Sequence, residues 1–191
     1  MGRWEPDARG RLAKAALELY SERGYEQTTV AEIAGRAGLT ERTFFRHYAD
    51  KREVLFSGSA EMREVFVQGV AGAPRSATPV DALVAGLDAV SGMFADRREF
   101  ARERQAVITA TTELRERELI KLASIAAALT DALRGRGMAE SGASLLAEAG
   151  VAVFKVGFER WVAAGEEREL SQLTRESLAE LKAVTAGGRI G

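Results

Sequence analysis

Residues 28–55, TTVAEIAGRAGLTERTFFRHYADKREVL, carry the most specific local signals in this chain. Thr29 followed three residues later by Glu32 is a capping box, in which each side chain accepts a hydrogen bond from the other residue's backbone N–H. A helix should therefore begin at Val30. Gly38 should end that helix, because glycine tolerates the left-handed conformation that a tight turn needs. The first half of the stretch thus predicts a short helix and a turn.

The second half predicts another short helix and then a longer one. Thr40 is a good cap for a helix over 41–48. Asp50 with Glu53 is a second candidate capping box, which places the start of a long helix at Lys51. Helix, glycine turn and helix is the layout of a helix-turn-helix, whose second helix enters the major groove of DNA.

The apolar spacing of the second helix predicts which of its faces contacts DNA. Phe44 and Tyr48 lie one turn apart and should face the core, whereas Phe45 falls on an outer face that no core explains. Arginine, threonine and an exposed aromatic ring suit base edges, thymine methyl groups and phosphates. We expect Arg42 and Thr43 at base edges, Thr29, Phe45, His47 and Lys51 along the backbone, and Thr40, Glu41 and Arg46 beside them.

This stretch resembles the DNA-binding segment of TetR-family (tetracycline-repressor family) transcriptional regulators. The resemblance rests on AEIAGRAGLT (31–40), TFFRHY (43–48) and DKREVL (50–55), and RLAKAALELYSERGYEQTTV (11–30) resembles the family's first helix. It implies a homodimeric, ligand-responsive repressor that binds a palindromic DNA operator in the cytoplasm. Two positions depart from the family's pattern, since Phe45 stands where many members have tyrosine and Arg42 where glycine is frequent. Both departures prevent the transfer of an operator sequence from a relative.

Charge is the main observation against DNA binding. The 191 residues have a net charge of −1 and a pI of about 6.0, whereas a basic patch is the usual footprint of a DNA-binding protein. From Thr28 to Arg52, however, five cations stand against three acids. The cations are Arg36, Arg42, Arg46, Lys51 and Arg52, and the acids are Glu32, Glu41 and Asp50. This local excess is compatible with DNA binding.

Composition and missing motifs exclude several other classes of protein. Zero cysteines exclude disulfides and thiolate metal sites, and a single histidine, His47, excludes a histidine metal cluster. The sequence has no GxSxG elbow, P-loop, GxGxxG after a strand or HExxH, so we expect neither catalysis nor a cofactor. We also expect no membrane span, because no run of about 18 uncharged apolar residues occurs, and the first residues do not form a secretory signal.

The whole chain reads as all-α, with about nine helices. An N-terminal three-helix helix-turn-helix DNA-binding domain (1–50) should precede a larger helical domain for effector binding and dimerisation (51–191). The break GVAGAPRSATPVD (69–81) should end the fourth helix, and Thr78 and Pro79 should start the fifth. Expected helices are 6–23, 30–37, 41–48, 51–70, 79–94, 97–108, 113–134, 141–164 and one capped by Ser171.

Bulky apolar residues of the larger domain are candidates for an effector pocket. Singly each could be core, but together they exceed the usual share of adaptable side chains in a small helical bundle. They are Met62, Phe66, Met93, Phe94, Phe100, Ile108, Phe154, Phe158 and Trp161. The charged run 96–105 favours the solvated face of its helix, and the alternative is that Arg104 points among these residues and holds a ligand carboxylate. These residues predict a largely apolar effector.

The eighth helix should be buried on two sides, because LLAEAGVAVFKVGFERWV (145–162) is apolar around most of its circumference. One face is aromatic and the other is small, as suits close approach between subunits. The resemblance adds that the last two helices pair with those of a second subunit. The predicted dimer interface comprises Ala149, Ala152, Val153, Val156, Leu178 and Leu181. The alternative hypothesis is a helical ligand-binding or scaffold protein that uses its helix-turn-helix only for packing.

Overall fold

The computed structural model describes residues 7–187, which form nine α-helices and one 3-10 helix. The α-helices are α1 Ala8–Arg23, α2 Val30–Arg36, α3 Glu41–His47, α4 Ser59–Gly72, α5 Pro79–Gly92, α6 Arg98–Ala110, α7 Thr112–Gly135, α8 Glu140–Trp161 and α9 Leu170–Thr185. The described residues contain no strand, which confirms the all-α prediction. The predicted start of the first helix at Pro6 lies outside the described residues, and Asp7 caps α1 instead.

The chain divides into two compact units. The head unit comprises the residues up to Ser59 together with Glu103–Glu118, and the body unit comprises Ala60–Arg102 together with the residues from Leu119 onward. The head unit therefore holds α1, α2, α3 and the 3-10 helix, with the second part of α6 and the start of α7. The body unit holds α4, α5, α8, α9 and the remainder of α6 and α7.

Caps and a glycine turn fix the two short helices of the head unit. The side chain of Thr29 accepts from the backbone N–H of Glu32, and Glu32 accepts from that of Thr29, so the predicted capping box is confirmed. The hydroxyl of Thr40 accepts from the Thr43 N–H at 3.2 Å, as a cap should. Gly38 has a φ of 66°, and a Cβ there would lie 3.1 Å from the guanidinium of Arg11. Only glycine fits this turn without strain.

The core of the head unit explains why α3 has a fixed inner face. Leu12, Leu19, Ile33 and Phe44 are fully buried, and they pack with apolar residues of the second part of α6 and the start of α7. The hydroxyl of Tyr48 donates to the carbonyl of Arg9 at 3.0 Å, which ties the end of α3 to α1. The position of α3 therefore depends on buried contacts at both of its ends.

The prediction that a long helix begins at Lys51 is wrong. Residues 51–52 form a turn, Glu53–Phe56 is a 3-10 helix, and α4 begins at Ser59. Asp50 does act as a cap, because its Oδ1 accepts from the N–H of Glu53 at 3.2 Å. Glu53 does not complete the box, since its carboxylate forms an ion pair with Arg117 instead. The predicted reciprocal bonds at Asp50 and Glu53 are thus only half present.

The body unit is built around α5, α8 and α9. Its fully buried residues include Phe66, Leu83, Leu129, Leu133 and Leu173. Close approach of α8 and α9 depends on Gly157, because a Cβ at this position would lie 2.8 Å from the side chain of Thr174. By length and composition α8 could also cross a membrane, with a mean hydropathy of 1.3, but its apolar face lies in the body core.

The caps of α5 and α9 differ from each other. Thr78 and Asp81 form a complete capping box with Pro79 at the first turn of α5, which confirms the predicted start. The predicted Ser171 cap of the last helix is wrong, because α9 begins at Leu170 and Glu169 precedes it without a side-chain capping bond. The first backbone N–H groups of α9 therefore lack a side-chain acceptor from the capping residue.

Candidate nucleic-acid interface and ligand pocket

The outer face of α3 combines arginines with one large exposed aromatic ring. Phe44 turns inward and packs on Tyr48 at a ring distance of 5.6 Å, whereas the neighbouring Phe45 is 55% exposed. Glu41, Arg42 and Arg46 are exposed, while Thr43 and His47 are half-buried. The structure therefore brings the residues predicted for base edges onto one surface of the head unit.

Most of the charge in the helix-turn-helix is neutralised within the head unit. Arg36 pairs with Glu22 at 2.9 Å, Arg23 with Glu32 at 2.7 Å and Arg52 with Asp50 at 2.7 Å. The hydrogen bond from Arg36 lowers the pKa of the Glu22 carboxyl, and that from Arg52 lowers the pKa of the Asp50 carboxyl. These acids consequently stay ionised, and each is paired with one of the five cations counted in the stretch.

Two arginines of α3 are the exception. Within residues 7–187 Arg42 makes no hydrogen bond or ion pair with any other residue, and Arg46 makes only a 3.5 Å contact with the ring of His47. Positive charge that a partner could use is consequently concentrated on the helix expected to enter the groove. Among the three acids of the stretch, only Glu41 has no cationic partner in the described chain. The local charge is more favourable for DNA than the five-to-three count indicates.

Lys51 closes the loop between α1 and α2. Its Nζ donates to the carbonyl of Tyr25 at 2.9 Å and to that of Thr28 at 3.1 Å, and it lies 4.2 Å from the centre of the Tyr25 ring. Lys51 lies in a turn well before α4, so the long helix predicted to begin there does not bring its N-terminus to this residue. Thr29 and Thr40 are exposed, but their hydroxyls already serve as caps.

Most residues of the predicted effector pocket meet in the core of the body unit. The rings of Phe94 and Phe158 lie 5.3 Å apart, those of Phe154 and Phe158 5.8 Å apart, and those of Phe94 and Trp161 5.9 Å apart. Phe66 joins this aromatic group through Phe154, and Met62 and Met93 pack against the same core. The rings fill their own space, so they form a wall rather than a cavity.

Three predicted pocket residues do not join this group. Ile108 is fully buried in the core of the head unit, and Phe100 is exposed. Arg104 also belongs to the head unit, where its Nε donates to the carbonyl of Leu55 at 2.6 Å and its guanidinium lies over the Phe56 ring. Burial lowers the pKa of Arg104 while Glu118, 3.9 Å away, opposes this shift. Periodicity could not reveal that α6 belongs to the body unit up to Arg102 and to the head unit from Glu103 onward.

A cavity of about 290 Å³ lies among the end of α5, the end of α8 and the start of α9. Its lining residues are Asp88, Ser91, Gly92, Phe94, Ala95, Trp161, Glu169, Leu170, Ser171 and Arg175. Only Phe94 and Trp161 among them were predicted from the sequence as pocket residues. A signal was present, because Asp88 and Ser91 are polar residues three apart in the otherwise apolar helix α5, and such residues share one face.

The predicted dimer face of α8 needs a correction. Val153 and Leu178 are buried in the core of their own body unit, so they cannot present a free face to a second chain. Ala152 and Val156 are exposed, and Ala149 and Leu181 are half-buried. Leu145, Ala152 and Val156 are exposed and line up with the half-buried Ala149, and these four apolar residues of α8 are here called the α8 stripe. Their spacing of four, three and four residues was the signal that the sequence analysis missed.

The head unit has the layout of a helix-turn-helix DNA-binding protein, with free arginines on its second helix. Residues 12–57 match the model of the family described as bacterial regulatory proteins, tetR family. The transcriptional regulator TcmR of Streptomyces glaucescens is 38% identical over 88 residues, which make up 46% of this chain and 39% of TcmR. The matched stretch thus spans about two-fifths of that relative's length.

Solved structures extend the likeness of fold to nearly the whole chain. A TetR-family transcriptional regulator from Syntrophomonas wolfei superposes with a TM-score of 0.64 at 15% identity, over 95% of this chain and 96% of that one. FadR from Bacillus subtilis, solved in complex with stearoyl-CoA, gives 0.60 at 21% identity, over 90% and 96%. The N-terminal segment of the chain thus matches the tetR family of bacterial regulatory proteins, and nearly the whole chain shares the fold of TetR-family regulators of known structure.

Proposed function

We propose that this protein is a repressor that binds a palindromic operator as a homodimer and is released by a small-molecule effector. The observation that carries the proposal is the outer face of α3, where Arg42 and Arg46 are exposed beside Phe45. A helix-turn-helix used only for packing would have its arginines matched to acids, as Arg36 is matched to Glu22. The packing alternative therefore does not account for α3.

On DNA, α3 lies in the major groove with Arg42 and Thr43 at base edges. Arginine reads guanine with two hydrogen bonds to O6 and N7, and this contact needs a guanidinium without another partner. Thr29, Phe45 and His47 lie along the sugar-phosphate backbone. Lys51 keeps at most a supporting contact, because two of its protons are donated to backbone carbonyls. Specificity rests chiefly on Arg42.

The dimer follows from the need for two heads and from the α8 stripe. Symmetric operators require two recognition helices roughly 34–36 Å apart, one turn of DNA. Small residues at Ala149 and Ala152 allow two helices to approach closely, and Leu145 and Val156 supply apolar area at the ends of the stripe. We place the α8 stripe of one subunit against the α8 stripe of the second subunit, with exposed residues of α9 beside it.

The effector binds in the helical domain at 51–191 and is largely apolar. The aromatic group of the body core offers apolar walls, and the FadR structure of similar fold was solved with stearoyl-CoA. Binding changes the spacing of the two heads and so lowers operator affinity. The protein acts in the cytoplasm, where its operator is found.

Selection from random duplex DNA tests the proposal. The full-length protein should enrich a palindrome whose half-sites are centred about 10 base pairs apart. The double variant Arg42→Ala, Arg46→Ala is the control, and it should enrich no sequence because it lacks the free cations of α3. Absence of enrichment by the unmodified protein at low salt, where phosphate attraction is strongest, would contradict DNA binding.

A further inference from the structure

Unpartnered polar atoms cluster in the cavity among α5, α8 and α9. Within residues 7–187, four buried side-chain atoms lack a hydrogen-bond partner, and three of them belong to lining residues: Asp88 Oδ1, Ser91 Oγ and Trp161 Nε1. Ser91 and Trp161 are almost fully buried, at 5% and 2% exposure. Buried polar groups are nearly always hydrogen-bonded, because an unpaired one loses the bonds that it made to water. The residues that carry three of these atoms line one cavity, so a ligand in that cavity is the candidate for the missing partners.

The three atoms differ in what they require of a partner. The indole N–H of Trp161 can only donate, an ionised Asp88 oxygen can only accept, and the Ser91 hydroxyl can do either. A single molecule that satisfies all three therefore carries both an acceptor and a donor. A carbonyl oxygen suits Trp161, and a hydroxyl or amide N–H suits Asp88.

Charge in the cavity is already balanced. The other carboxylate oxygen of Asp88 accepts from Arg175 at 2.7 Å, and this hydrogen bond raises the pKa of the arginine. The guanidinium of Arg175 thus offsets the charge of the Asp88 carboxylate. A carboxylate ligand would compete with Asp88 for Arg175, and an ammonium ligand would compete with Arg175 for Asp88. The balanced pair favours a neutral molecule.

Shape restricts the ligand further. Phe94 and Trp161 meet edge to face at an interplanar angle of 73°, and with Leu170 they give the cavity apolar walls. The volume of about 290 Å³ lies at the lower end of the range for ligand pockets, roughly 300–1,000 Å³. A single ring suits these walls, because aromatic rings pair by edge-to-face or offset contact.

We propose that this cavity binds a small neutral aromatic molecule that carries a hydroxyl or amide donor and a carbonyl acceptor. The proposal deepens the proposed function, because it names the chemical class of the effector and rests on that function for its regulatory meaning. Asp88 and Ser91 recognise the donor side, Trp161 recognises the carbonyl, and Phe94 packs on the ring.

The indole N–H resonance of Trp161 reports binding directly. The chain has two tryptophans, so a ¹⁵N-correlated NMR spectrum has two indole signals, and Trp161→Phe identifies the relevant one. At pH 6.5, 4-hydroxyacetophenone should shift this signal, and the shift should reach a plateau as the concentration of the compound rises. Acetophenone lacks the donor, 4-methylphenol lacks the carbonyl and 4-hydroxybenzoate is charged. Acetophenone and 4-methylphenol should each bind about tenfold more weakly, the loss expected for one hydrogen bond. 4-Hydroxybenzoate should also bind more weakly, because its carboxylate competes with Asp88 for Arg175. An unchanged Trp161 signal, or equal affinity for all four probes, overturns the proposal.

A pair of buried serines provides a matched control for the role of Ser91. Ser91 and Ser177 have the same exposure of 5%, but the hydroxyl of Ser177 donates to the carbonyl of Leu173 at 2.9 Å. Ser91→Ala should keep or raise the Tm of the free protein and weaken the binding of 4-hydroxyacetophenone. Ser177→Ala should lower the Tm and leave that binding unchanged. If Ser91→Ala lowers the Tm as much as Ser177→Ala does, the Ser91 hydroxyl has a partner in the free protein and the assignment is wrong.

The two proposals can fail separately. Recovery of a palindromic DNA site together with an unmoved Trp161 signal rejects the cavity assignment and leaves the DNA-binding proposal standing. Saturable binding of 4-hydroxyacetophenone by a protein that selects no DNA rejects the DNA-binding proposal and leaves the cavity assignment standing.

Discussion

Helices α3 and α8 each contain a pair of like apolar residues close in sequence, of which one is buried and the other exposed. In α3 the buried member is Phe44 and the exposed member is Phe45, whereas in α8 they are Val153 and Val156. The surroundings of the exposed members differ. Phe45 stands among exposed arginines, whereas Val156 continues a stripe of small and aliphatic residues. The first surface suits a charged partner with scattered apolar groups, such as a DNA groove, and the second suits another helix.

Whether an exposed apolar residue indicates an interface, and with what kind of partner, depends on the residues around it. Single exposed apolar residues are common on protein surfaces, and four in register along one helix are not. Each helix supplies its own control, because the same substitution can be made at a buried and at an exposed position.

The largest effect should come from placing a carboxylate at the two valines of α8. Val153 is 3% exposed, and Val153→Glu should unfold the body unit, because burying an unpaired charge costs on the order of several kcal/mol. Val156 is 44% exposed, and Val156→Glu should keep the fold but separate the dimer by setting like charges across the symmetry axis. Circular dichroism and light scattering check the two outcomes. A dimeric Val156→Glu protein would place the interface elsewhere than on the α8 stripe.

The two phenylalanines of α3 should separate stability from DNA binding. Phe44→Ala should lower the free energy of unfolding by roughly 3–5 kcal/mol, because it leaves a cavity in the head core. Phe45→Ala should change the free energy of unfolding by less than about 0.5 kcal/mol and still weaken binding to the selected operator. Urea denaturation and fluorescence anisotropy measure the two quantities. Normal operator affinity in Phe45→Ala would remove this ring from the interface.

A smaller effect is expected from the arginines of the helix-turn-helix. Arg42→Ala should weaken operator binding by roughly 1–3 kcal/mol and relax the preference at one base pair of each half-site. Arg36→Ala removes a cation of the same stretch that is held by Glu22, so it should leave the preference intact. Repeated selection with both variants checks this difference. Equal relaxation in both would show that the pairing of Arg36 does not exclude it from DNA.

The success of the sequence analysis depended on how many polar residues and caps each helix contains. In α3 the cap at Thr40 and the polar neighbours of Phe44 leave one possible inner face, and the structure confirms it. In α8 apolar residues occur at almost every angle, so periodicity could not distinguish Val153 from Val156. The buried side is decided by close contacts such as that of Gly157 with Thr174, which depend on α9.

Other errors arose where a residue's partner is distant in sequence. Lys51 looked like a helix start, but the carbonyls that hold it belong to Tyr25 and Thr28. Arg104 looked like a pocket residue, but its contacts are with Leu55 and Phe56. No local pattern reports such pairings. The cavity at Asp88 and Ser91 was not predicted, although these two polar residues share one face of a largely apolar helix.

The internal pairing of cations in the head unit has a consequence for how the protein finds its operator. Attraction to DNA of any sequence grows with the number of phosphates that cations neutralise, and Arg23, Arg36, Arg52 and Lys51 already have partners within the head. Fewer cations remain for general attraction, so we expect residence on the many competing genomic sites to be short. A regulator of this kind keeps a larger free pool and depends on its base contacts for discrimination.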